Sequence, residues 1–126
     1  MKLLFTLMLS IFTTSFAEAA HHDHKSVELT EPGMLFHNFD ADPDDPLAFT
    51  WTEVYSNSEA FIKHDANPPV QEYVKKHAEL ADGFTIEIYG NVSKKVIETI
   101  DRLGVPLKHF KTTRVGYVRE KNFKEH

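Results

Sequence analysis

The sequence contains no cysteine. Disulfide scaffolds, zinc–thiolate sites, thiol nucleophiles and a lipid-anchored N-terminal cysteine are therefore excluded. Glycine is scarce at 5 residues, and no spacing among them builds a phosphate-cradling loop or a dinucleotide fingerprint. Positive charge is short: 14 Lys and Arg stand against 19 Asp and Glu, a formal net charge of -5. A nucleic-acid surface needs a cationic surplus to displace counterions, so nucleic acid is excluded as a partner. Tryptophan occurs once. The longest apolar run lies at the N-terminus and is too short for a comfortable membrane span. What remains is an ordinary globular balance, 41% hydrophobic and 26% charged, in a chain of 126 residues that makes one domain.

Met1-Lys2 precedes Leu3 to Phe12, then small residues ending in Ala17-Glu18-Ala19. One positive charge, an apolar run and a small-x-small tail form the layout of a secretory leader. The expectation is a leader over 1–19 cleaved after Ala19, giving a periplasmic or secreted protein with no membrane span in its mature form. The competing reading is a buried first strand. A His-rich linker over 20–30 follows, then the folded domain over 31–120 and a tail over 121–126. Imidazole and carboxylate in His21-His22-Asp23-His24 have the chemistry to hold Zn, Cu or Ni. A terminus lacks the surrounding groups that orient ligands, so it reads as a solvated tail and no metal is assigned.

Pro32-Gly33 is a turn signal, and Met34 to Phe39 reads as a strand. Asp42-Pro43-Asp44-Asp45-Pro46 is a loop of turn formers. It imitates a calcium loop but lacks the following Gly and Glu. Leu47 to Tyr55 is a second strand, with Phe49, Trp51, Glu53 and Tyr55 on one face. Ser56 and Glu59 have capping-box spacing, so a helix is expected to start there and carry Ala60, Phe61 and His64 on one face. Asn67-Pro68-Pro69 restarts it, and Val70, Tyr73, Val74 and His77 repeat at helical spacing up to a stop at Gly83. Phe84 to Tyr89 alternates as a strand. Ser93 caps a last helix with Val96, Ile97, Ile100 and Leu103 on its apolar face, and Leu107 to Arg119 is extended. The expected order is β-β-α-β-α-β, an α+β layer with helices on one face of a sheet.

Four pieces recur in a connected order: Glu31-Pro32-Gly33 before a strand, the Asp42–Pro46 loop, Phe49-Thr50-Trp51-Thr52-Glu53-Val54-Tyr55, and Ser58-Glu59-Ala60-Phe61-Ile62-Lys63-His64. Together they resemble the antibiotic biosynthesis monooxygenase domain, the family that includes small quinol monooxygenases working without a cofactor. The resemblance implies a ferredoxin-like antiparallel sheet of the dimeric α/β-barrel type. Here the N-terminal part is shortened, because the leader and linker occupy the place of the family's first strand and helix. Lys25 to Thr30 reads as a remnant of that helix, and the missing strand is replaceable by the C-terminal one. The resemblance also implies a homodimer and a small aromatic or quinol-like ligand.

Oxidising a phenol with oxygen and no metal or flavin needs a dry aromatic pocket, hydrogen-bond donors and a base. His64 is the candidate base and Asn38 the candidate oxyanion holder. Trp51, Glu53, His37 and Tyr73 are the candidate substrate-binding residues. The competing readings are structural: Trp51 as a core aromatic, His37 as a packed histidine, Tyr73 and His77 as packing on the sheet. If a pocket exists, it lies between the sheet face carrying Trp51 and Glu53 and the helix carrying His64. Three functions fit: a cofactor-free monooxygenase, a non-catalytic ligand-binding or dimerisation domain, and a haem-binding or haem-degrading protein using His64 or His77.

Overall fold

The computed structural model describes the backbone of residues 3–10, and residues 25 and 27–117. The His21–His24 cluster and the 121–126 tail lie outside the described residues. The elements are β1 (Leu3–Ser10), β2 (Met34–Ala41), β3 (Ala48–Tyr55), α1 (Ser58–Asp65), α2 (Pro68–Leu80), β4 (Phe84–Tyr89), α3 (Lys94–Asp101) and β5 (Leu107–Phe110). Residues 27–30 are helical, as the Lys25–Thr30 reading expects. The five strands form one sheet in the order β2-β3-β1-β4-β5.

β2 and β3 are an antiparallel hairpin. Its loop is held by its own carboxylates: Asp42 Oδ1 accepts from the Asp44 and Asp45 amides, and Asp45 Oδ1 from the Leu47 amide. The acidic run is thus a set of Asx turns. The register slips between Met34 and Phe36, and this slip sets His37 opposite Glu53 and Phe39 opposite Trp51. The core follows from the alternation on β3 and β4. Trp51, Tyr55, Ile86 and Ile88 bury one sheet face against Phe61, Tyr73, Val96 and Ile100 of the three helices.

Helix starts are set by side chains. Asn57, rather than Ser56, caps α1, its Oδ1 accepting from the Ala60 amide at 2.9 Å. The capping position is thus one residue later than expected. Ser93 caps α3 as expected. α2 opens on Pro68 and Pro69, where no backbone donor is needed. Asn67 stands at its N-cap position, but its side chain makes no cap bond and is used elsewhere.

The expected fold needs three corrections. The sheet is open: β2 and β5 are its two edges and do not pair with each other, so the barrel is not closed. The sheet is not wholly antiparallel, because α3 carries the chain over the sheet and returns β5 parallel to β4. The N-terminal part is not short of a strand. β1 pairs antiparallel with β3 from Leu3↔Tyr55 to Ser10↔Ala48, and with β4 from Leu4↔Tyr89 to Leu9↔Phe84. The C-terminal strand replaces nothing; it adds to the far edge of β4, and the expected extended segment stops at Phe110.

Gly33 shows how closely α1 lies on the β2 entry. A Cβ there would come within 2.7 Å of Ala60 Cβ, and the Ser56 amide bonds the Gly33 carbonyl at 2.9 Å. Gly33→Ala is expected to cost about 1–3 kcal/mol by overpacking, read as a lower urea midpoint with unchanged m-value.

Candidate functional site

α1 follows β3 after a two-residue turn, so it folds straight back over the face that carries Trp51, Glu53 and Tyr55. This places His64 above that face, 4% exposed. Its two ring nitrogens each face a carboxylate. Nδ1 lies 2.7 Å from Glu31 Oε2, and Nε2 lies 3.3 Å from Glu53 Oε1. Both partners are buried, at 6% and 2% exposure. Asn67 Nδ2 donates to Glu31 Oε1 at 2.7 Å, which is where the α2 cap residue spends its side chain. Tyr55 donates its hydroxyl to Glu53 Oε2 at 2.8 Å, and His37 Nε2 lies 3.4 Å from Glu53 Oε1.

Burial opposes a charge on His64, but the hydrogen bonds and charges of Glu31 and Glu53 outweigh it and raise its pKa to about 9. Burial likewise pushes the Glu31 carboxyl up, and is overcome by hydrogen bonds from His64 and Asn67 and by the His64 and Lys63 charges, leaving it below its usual value. His64 is therefore an imidazolium near neutral pH rather than a free base. Burial, with the Glu53 charge beside it, drives the Tyr55 hydroxyl well above its ordinary value, so it stays neutral.

Beside this cluster is a cavity of about 180 Å³ between the sheet and α1, α2 and α3. Trp51, Glu53 and Ile86 face it from the sheet, and His64, Val70, His77 and Ile100 from the helices. Gln71, Arg102 and Leu103 are exposed and stand at its mouth. Glu53 Oε1 has no hydrogen-bond donor in bonding geometry, and Trp51 Nε1 has no acceptor among the described residues. His77 has the reverse condition to His64: burial alone lowers its pKa to about 3, so it stays neutral.

Of the residues expected from sequence, His64, Trp51 and Glu53 line this cavity together. His37 and Tyr73 stand behind them, their rings 5.5 and 5.3 Å from that of Trp51. Asn38 is not with them. It pairs opposite Thr52 on β2 and is exposed, because alternation turns it away from the face that carries His37. Trp51 also stacks on Phe39 at 5.1 Å, so it is core on one side and cavity wall on the other. Sequence reasoning did not select Glu31, which is 33 residues from His64. No periodicity links them; its place in Glu31-Pro32-Gly33 was the only signal. It read His77 as packing, and Tyr73 does pack on it, the tilted rings 4.0 Å apart.

A small open α+β sheet with a carboxylate-flanked histidine over a side cavity is the class of structure described. No protein-family model matches the sequence, and no curated protein matches it. Solved structures do share the fold. One is described as a putative antibiotic biosynthesis monooxygenase from Nitrosomonas europaea, 21% identical over 74% of this chain and 92% of that one, with a TM-score of 0.64. A protein of the same description from Deinococcus radiodurans is 23% identical over 69% of this chain and 89% of its own, at 0.60. MupZ from Pseudomonas fluorescens matches 94% of this chain and 96% of its own at 16% identity and 0.63. The chain thus has the fold of the antibiotic biosynthesis monooxygenases, as the resemblance carried by the four pieces between Glu31 and His64 implies. Among the described residues no helix is long and apolar enough to cross a membrane.

The two histidines fix a pH dependence. His64 rises from 6.5 to about 9 on folding, so its contribution is complete below pH 6.5 and is lost as pH climbs through 9. His77 falls from 6.5 to about 3, so its contribution holds above 6.5 and is lost as pH drops towards 3. Unfolding free energy is expected to decline on both sides of pH 6.5, the alkaline limb by roughly 3 kcal/mol. In denaturant titrations across pH, Glu31→Gln should flatten the alkaline limb, and on the acid side it should remove the loss that comes from the depressed Glu31 carboxyl while keeping that from His77.

Proposed function

We propose that the protein is a small-molecule monooxygenase acting on a phenol or quinol held in the cavity between the sheet and the three helices. One observation carries this reading: the cavity reaches a buried carboxylate oxygen, Glu53 Oε1, that is ion-paired with His64 Nε2 at 3.3 Å but not in hydrogen-bonding geometry. A phenolic hydroxyl donates to that oxygen while its ring lies against Trp51.

Glu53 accepts the phenolic proton, and the His64 imidazolium stabilises the phenolate beside it. The proton stays on the Glu53 carboxyl, and the His64 imidazolium, held charged by its Nδ1 contact to Glu31 at 2.7 Å, balances the phenolate. The electron-rich ring reduces oxygen, so one oxygen atom enters the ring and the other leaves as water. The ring is the electron donor and, following the resemblance, no cofactor is needed. The base in this scheme is Glu53, with His64 as the balancing charge. A haem role through His64 is disfavoured, since both of its ring nitrogens face carboxylates. Oxygen uptake with a hydroquinone panel tests the proposal. Wild type should consume oxygen, and Glu53→Gln should lower kcat/KM about 100-fold or more. An unchanged Glu53→Gln rate overturns it.

Export as a homodimer belongs to the same proposal. The layout of 1–19 supports export, and all the residues assigned roles lie after Ala19. Cleavage there removes β1 from between β3 and β4, the strands that carry Trp51, Glu53 and Ile86, so a strand of a second copy has to take its place for the cavity to persist. Exposed Phe36 and Phe110 add apolar surface for a second copy. Native mass spectrometry of the extracytoplasmic protein is expected to show two chains, each beginning at Ala20. A chain that keeps Leu3–Ser10 contradicts cleavage, and a single chain contradicts the dimer.

A further inference from the structure

We propose that the cavity is a one-ring site: it takes an uncharged single-ring phenol or quinol, hydroxyl first, and rejects fused polycyclic substrates. This rests on the reading of the site given above and narrows it to a substrate class.

Size comes first. The cavity holds about 180 Å³. An apolar protein cavity of about 150 Å³ accepts benzene. The space is therefore that of one substituted benzene ring, not of three fused rings. The walls do not give way easily. Ile86 and Ile100, each 1% exposed, close it from the sheet and from α3, and Trp51 is fixed between Phe39 and Tyr73. Close-packed walls of this kind do not expand by a ring without strain.

Polarity sets the direction. The exposed lining residues, Gln71, Arg102 and Leu103, mark the mouth, while Glu53 and His64 are buried at the other end. Arg102 is held at the rim, its guanidinium donating to Thr99 Oγ1 at 2.8 Å and to the Glu98 carbonyl at 3.2 Å. A polar substituent on the ring can emerge there, whereas the inner end must receive a hydrogen-bond donor. Charge sets the selectivity. Two carboxyl groups, Glu31 and Glu53, stand against one imidazolium, His64, so the inner end carries surplus negative charge. Neutral His77 does not offset it. A carboxylate in the hydroxyl's place meets repulsion from Glu53 and offers it no proton.

The only tryptophan in the chain lies in the cavity wall, so its fluorescence reports occupancy directly. The full-length protein is titrated with phenol, hydroquinone, benzoate and 1,8-dihydroxyanthrone. Phenol and hydroquinone should quench saturably, with benzoate and the three-ring compound at least about tenfold weaker. Equal or tighter binding of the three-ring compound, or of benzoate, overturns the proposal, as does absence of saturable quenching by either one-ring phenol. Val74→Phe places a ring in the space itself. If it keeps the wild-type melting temperature, it should lose the phenol signal, and retained quenching in that folded variant overturns the proposal. If it does not fold, the wild-type ligand series decides alone. Binding of one-ring phenols without oxygen uptake supports the one-ring site while overturning the monooxygenase reading, so the two failures are separable.

Discussion

A single imidazolium held between two buried carboxylates organises this molecule. Glu31 lies before β2, Glu53 on β3 and His64 on α1, and Asn67 ties the start of α2 to the same carboxylate. Each charge is removed from water, and each is tolerable only because the others are present. Removing one carboxylate leaves a buried charge without its counter-charge, which costs about 3–5 kcal/mol in comparable pairs. The contacts therefore act as a positional clamp. They fix α1 over the sheet at His64 and the helix restart at Asn67. The cavity is the space left where α2 departs after Pro68 and Pro69 and α3 crosses over β4.

The same cavity holds two histidines in opposite states. His64 keeps its proton because carboxylates face it, and His77 refuses one because Trp51, Phe49 and Tyr73 surround it. Distinct environments make two identical side chains into a cation and a neutral ring. Groups whose pKa values are driven apart within one cavity mark a place where charge can be managed in a reaction.

Local signals were legible in the sequence where local chemistry decides. Alternation over Phe49–Tyr55 and Phe84–Tyr89, and helical spacing over Val70–His77, yield the elements that are found. The meeting of Trp51, Glu53 and His64 was legible too, because strand alternation and a short connection fix it. Long-range pairing was not. Glu31 meets His64 through tertiary packing that no spacing encodes. Asn38 was assigned to the site for its chemistry, although alternation with His37 already turned it to the other face. The parallel return of β5 depends on how α3 crosses the sheet. Leu3–Ser10 is ambiguous in composition, since an apolar octapeptide suits a leader and an inner strand alike.

That octapeptide has a consequence for the order of events during synthesis. β1 is made first, yet its partners are made much later: Ser10 waits for Ala48, and Leu4 waits for Tyr89. The strand between them in the sheet can be enclosed only after most of the chain has left the ribosome. Until then this apolar segment stands without its partner strands in the nascent chain. Pairings this distant close slowly, because the entropy of a long loop must be overcome before the contacts reward it. For these residues the pace of completing the sheet is set by how soon β4 emerges.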